Sequence, residues 1–214
     1  MRCSHLVMGL ATLGNLMLGV PAPSQAAPIF HQGLIFSDEL GGFNLVSVSG
    51  SGTLDDPIVV VEEVAGDRAI ALTIRNFGRD FGNRIGSQHV AAFAMKKIVI
   101  NRTGRIWHNY QMELREVTTR HSPYSDGLSF GQNSFIGSTY TKSNFSNLQR
   151  FDEPEDTLGF SGTEITPGDQ AEFSFIISDM SPVSIFYLMQ VPLQPLSRGD
   201  PTEAAKSEWA LSIP

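Results

Sequence analysis

From Leu45 onwards the chain consists of short runs rich in Val, Ile, Phe and Tyr, each ended by Gly, Pro, Asn or Asp. Helical periodicity is scarce. Extended runs satisfy their backbone N–H and C=O groups only by pairing edge to edge, and a run that alternates apolar and polar residues has one face to bury. The pattern therefore predicts antiparallel sheets packed into a sandwich or closed into a barrel.

Individual segments carry that expectation. Pro57 to Val64 (PIVVVEEV) and Ala69 to Phe77 (AIALTIRNF) read as a hairpin around Ala65-Gly66-Asp67-Arg68, with Ile70, Leu72 and Ile74 alternating in the second arm. Asn76 to Gly86 carries Gly78, Gly82 and Gly86 among charged residues and reads as a long exposed loop. Ala91 to Asn101 resumes an extended run, followed by a turn at Asn101-Arg102-Thr103-Gly104-Arg105. Trp107 to Val117 fits both a helical stripe and a half-buried strand; its place after a turn and a β-branched run favours the strand. Thr118 to Asn147 is rich in Ser, Thr, Gly and Asn and reads as long loops with one or two short strands. Pro167-Gly168 suits the centre of a type II turn between Thr166 and Asp169. That turn delivers the chain into Ala171 to Ser178, where Phe173, Phe175 and Ile177 share a face. Val183 to Val191 is apolar on both faces and is expected to be a central strand.

The first 26 residues read differently. Arg2 gives a basic start, Leu6 to Val20 is an apolar stretch too short for a membrane span, Pro21 and Pro23 break it, and small residues follow at Ala26 and Ala27. Residues 1–26 are expected to be a signal peptide, and 27–214 a single β-sandwich domain with a short irregular C-terminal tail. The product is then secreted or periplasmic. The one cysteine, Cys3, falls within this leader and leaves the remainder without a disulfide. The chain holds 15 basic and 22 acidic residues, a net charge of −7, which disfavours nucleic acid and anionic membrane surfaces. No stable membrane insertion is expected either.

No catalytic, cofactor or metal motif emerges. Gly127-Leu128-Ser129-Phe130-Gly131 matches the G-x-S-x-G nucleophile elbow, but His31, His89, His108 and His121 all precede Ser129, and the flanking sequence lacks alternating strands and helices. The histidines lack metal-ligand spacing. Asp152, Glu153, Glu155 and Asp156 make a dense carboxylate cluster without EF-hand spacing, and a solvated loop is the better reading. Arg198-Gly199-Asp200 spells an integrin-type tripeptide beside Pro201 and reads as an ordinary turn, while Asn101-Arg102-Thr103 and Asn144-Phe145-Ser146 fit the glycosylation sequon. The recognition candidates are Tyr124, Phe130, Phe135 and Tyr140, because aromatics set among Ser, Gly and Asn combine stacking area with adaptable hydrogen bonds.

Ile98 to Glu116 (IVINRTGRIWHNYQMELRE) and Leu158 to Asp179 (LGFSGTEITPGDQAEFSFIISD) together resemble a pattern of bacterial exported β-sandwich domains, including those of proteins carrying PEP-type sorting tails. In that pattern a strand ends in asparagine, a turn leads to a tryptophan-to-tyrosine strand, and a Pro-Gly turn precedes an aromatic strand. The resemblance implies a mainly β, antiparallel immunoglobulin-like or jelly-roll-like sandwich with long loops and a surface or matrix role. The expected function is an exported, non-enzymatic binding or structural module whose partner is an extracellular protein or glycan. The alternative is an exported hydrolase using Ser129 or the acidic loop.

Overall fold

The computed structural model describes residues 27–131, 140–151 and 156–193. The leader, the tail beyond residue 193, Phe135 and the carboxylates at 152, 153 and 155 lie outside them. The described chain is mainly β, and its strands form two sheets packed face to face. The first runs β1 (Ile29–His31), β2 (Leu34–Ser37), β5 (Ile70–Arg75), β13 (Ile185–Leu193), β7 (Trp107–Arg115), β11 (Thr157–Ile165), β10 (Asn147–Phe151). The second runs β3 (Phe43–Ser49), β4 (Ile58–Val64), β6 (Ala91–Asn101), β12 (Gln170–Asp179), β8 (Leu128–Ser129), with β9 (Lys142–Ser143) also on β12. All these pairings are antiparallel except β4 with β6, which is parallel.

The long strands sit where the periodicity places them. β6 spans the expected Ala91–Asn101, the ambiguous Trp107 segment is strand β7, and β13 lies centrally between β5 and β7. Phe173, Phe175 and Ile177 are all buried between the sheets. The Thr166–Asp169 turn closes with Asp169 N–H donating to Thr166 O at 3.0 Å, and Gly168 takes the positive φ of 94° that a type II turn requires.

The expected hairpin of residues 57–77 does not form. β4 pairs with β3 and β6 in one sheet, whereas β5 pairs with β2 and β13 in the other, so residues 65–69 arch across the sandwich. The physical reason is that alternation specifies a buried face without specifying the neighbour. Ile58, Val60 and Val64 face Ile70, Leu72 and Ile74 within the common core instead of lying beside them. The Asn76 to Gly86 segment is a loop, but not wholly an exposed one. Phe77 is fully buried, with its ring 5.4 Å from Phe93 and 5.1 Å from Phe186. Farther along, Ile85 joins Ala92, Ala94 and Ile176 in a small cluster, with Leu54 and Tyr140 packed against it.

Candidate functional site

The sequence candidates do not converge. Ser129 lies on the short edge strand β8, is 3% exposed, and has its hydroxyl 3.5 Å from that of Ser178. The histidines have separate partners: His31 Nε2 lies 2.6 Å from Gly50 O, His108 Nδ1 3.4 Å from Glu164, and His121 Nδ1 2.7 Å from Glu113. Burial pushes the His89 imidazole pKa down. No group of three or more His, Cys, Asp or Glu suited to a metal ion occurs among the described residues. Asn101, the first sequon asparagine, is completely buried, whereas Asn144 is exposed.

The aromatic recognition candidates separate in the same way. Phe130 is a correction: it is 2% exposed and packs edge-on to Phe175 at 5.3 Å, because the short β8 joins β12 and carries the next residue into the core. Tyr140 is half-buried on the outer face of the second sheet, its hydroxyl 3.5 Å from Leu54 O. Tyr124 stands in a single 3₁₀ turn, Tyr124–Asp126, and is 74% exposed.

That turn borders a cleft of about 250 Å³ lined by Glu116, Arg120, His121, Ser122, Pro123 and Asp126, among others. One wall is held by Glu113, whose carboxylate takes the Arg115 guanidinium on both oxygens and His121 on Oε1; Arg115 also donates to Thr118 O at 2.7 Å. Carboxylates crowd this end of the molecule. Asp179, at the end of β12, accepts from Ser181 N–H at 2.7 Å, and Met180 N–H donates to Gly127 O at 3.1 Å. Burial pushes the Asp179 pKa up to about 7 against the pull of the Ser181 hydrogen bond, and the charges of Glu116 and Asp126 add to the rise. Burial, then Asp126, raises Glu116 as well. Val117 and Met180 are exposed apolar neighbours of this carboxylate group.

A second constellation lies in the middle of the core, and no sequence candidate includes it. Lys97 on β6 and Glu62 on β4 are fully buried and ion-paired, with Lys97 Nζ donating to Glu62 Oε1. Across the sandwich, Gln190 on β13 donates through Nε2 to Glu62 Oε2 at 3.1 Å, and the Tyr110 hydroxyl on β7 donates to Gln190 Oε1 at 3.0 Å. All four residues are 0% exposed, so one connected polar chain runs from the second sheet to the first. Aromatic rings shield it: Tyr110 lies 4.9 Å from Phe173 and 5.7 Å from Trp107. Burial lowers the Lys97 pKa against the opposing pull of Glu62, and burial together with the Glu62 charge raises Tyr110. Strand alternation was the available signal. Ile58, Val60, Glu62 and Val64 share a face, which places a carboxylate on the apolar side.

Comparison of the chain with protein-family models, with curated proteins and with solved structures found no match.

Proposed function

We propose that the chain is a non-enzymatic binding or structural module acting outside the cytoplasm, with the 116–127 segment as its contact surface. The observation that carries this reading is the 74% exposed Tyr124 ring at the edge of the carboxylate-bordered cleft, with Met180 49% and Val117 39% exposed at the same end. Loops on a rigid β scaffold tolerate variation and present recognition groups, and an exposed tyrosine offers apolar area with a polar tip. The carboxylates of Glu116 and Asp126 in the cleft lining favour a partner that brings positive charge or hydrogen-bond donors. An extracellular protein segment with basic side chains meets that requirement, as does an amino-bearing glycan.

The purified protein is tested on arrays of glycans and of basic and acidic peptides, beside Tyr124→Ala and Met180→Ser. Binding that prefers basic or amino-bearing probes and weakens at least several-fold in both variants, with unfolding midpoints unchanged, supports the proposal. Turnover in an esterase or glycosidase screen that Ser129→Ala abolishes in a folded protein overturns it.

A further inference from the structure

We propose that Lys97 and Gln190 join in an intramolecular isopeptide bond across the two sheets, with Glu62 as proton carrier and Tyr110 as donor to the reacting carbonyl. The groups required for acyl transfer to an amine lie in one buried hydrogen-bonded chain, with Glu62 between the two nitrogens. Lys97 supplies the nucleophile, and the Gln190 carboxamide supplies the electrophilic carbon and a nitrogen leaving group. Glu62 touches both nitrogens, holding Lys97 Nζ on Oε1 and Gln190 Nε2 on Oε2. The Tyr110 hydroxyl already donates to Gln190 Oε1, the oxygen on which negative charge develops.

The environment favours this reaction over a static ion pair. An ion buried in a protein carries an effective penalty of several kcal/mol, recovered only through good geometry and full hydrogen bonding. Burial lowers the Lys97 pKa and so favours its neutral, nucleophilic amine, while the raised Tyr110 pKa keeps its hydroxyl protonated. Stacked sheets lie roughly 10 Å apart, a gap that facing Lys and Gln side chains span together.

The steps balance without an external reactant. The Lys97 ammonium gives one proton to the Glu62 carboxylate, and the freed Nζ lone pair attacks Gln190 Cδ. The C–N bond forms as the carbonyl π pair moves onto Oε1 against Tyr110. Glu62 then delivers its proton to Nε2 and accepts one from the now positively charged Nζ. Return of the electron pair from Oε1 re-forms the carbonyl, breaks Cδ–Nε2 and expels ammonia. The ammonium, carboxylate and primary amide thus become a secondary amide, a neutral carboxylic acid and ammonia. Two buried charges are removed in the process.

The test is intact mass and peptide mapping of the purified full-length product as it is recovered, beside identically prepared Lys97→Met and Glu62→Gln proteins. The expected wild-type mass is lower than its own sequence requires by one ammonia, about 17 Da, and its digest contains one branched peptide joining Lys97 to Gln190. Both variants are expected at their full sequence masses, with linear peptides only. Wild-type protein at full mass, with separate linear peptides around Lys97 and Gln190, overturns the proposal even if both variants fail to fold. A loss of about 18 Da with a branch joining Lys97 to Glu62 overturns it too, since water and not ammonia has then left.

Discussion

Asn101 and Thr103 are locked to each other at the end of β6: Asn101 Oδ1 accepts the Thr103 backbone N–H at 3.0 Å and the Thr103 hydroxyl at 2.6 Å. The other side of the same amide donates to Arg105 O at 2.8 Å and to Ile165 O at 3.0 Å, and Thr103 Oγ1 receives the Trp107 indole N–H at 3.2 Å. One buried asparagine thus shapes the crossing from β6 in one sheet to β7 in the other and ties it to the end of β11. Asn101→Ala leaves these groups without their partner in a buried site. It is expected to destabilise by about 3 kcal/mol, since each unsatisfied buried group costs roughly 1–3 kcal/mol. Urea unfolding measures this; a midpoint matching the wild type shows that the turn holds without the amide.

Phe175 faces the core, and Ser174 faces the other side of β12. Phe175→Ala is expected to cost about 3–5 kcal/mol through lost burial and the cavity left beside Phe130. Ser174→Ala is expected to stay within about 0.5 kcal/mol. Equal unfolding midpoints for the two variants show that the facing of β12 is wrong.

Asp179 gives the fold a pH dependence of definite sign. Its pKa rises from 3.8 to about 7 on folding, so between those values the folded state binds more protons than the unfolded state. Stability contributed by this group is therefore present below pH 3.8 and is lost as pH rises toward and through about 7. Asp179→Asn keeps an oxygen for the Ser181 N–H and cannot ionise. The variant is expected to gain stability relative to wild type as pH increases across this window. Parallel stability profiles for the two proteins show that burial does not raise the Asp179 pKa.

Tyr124→Ala removes a ring that is largely in solvent, and its unfolding midpoint is expected to stay within about 0.5 kcal/mol of wild type. Phe130→Ala is expected to lose several kcal/mol, as a buried ring does. Thermal and urea unfolding of the pair distinguish the exposed aromatic from the core one, which the sequence pattern placed in one recognition group.

The contrast shows where sequence reasoning reaches. β6, β7, β12 and β13 were legible because their alternation or continuous apolar character extends over many residues, and the Pro167-Gly168 turn because only certain residues suit its backbone. The partner of β4 was not legible, since the same alternation serves a hairpin and an arch between sheets. β1 and β2 are too short to announce themselves, and β3 was not singled out as a strand. Lys97 lies in the pair Lys96-Lys97 and Glu62 in Glu62-Glu63, pairs that resemble solvated surface; the pleat sends one member of each inward and leaves the other toward solvent. The join of Gln190 and Tyr110 to them depends on the packing of two sheets, which no local pattern contains.

The place of β13 between β5 and β7 has a consequence for synthesis. A chain emerging from its N terminus presents β5 and β7 long before the strand that belongs between them, so the wider sheet waits in two unjoined pieces until Ile185–Leu193 arrives. A product truncated before Ile185 would keep both open edges, each with a row of unpaired amides and carbonyls able to recruit a neighbouring chain.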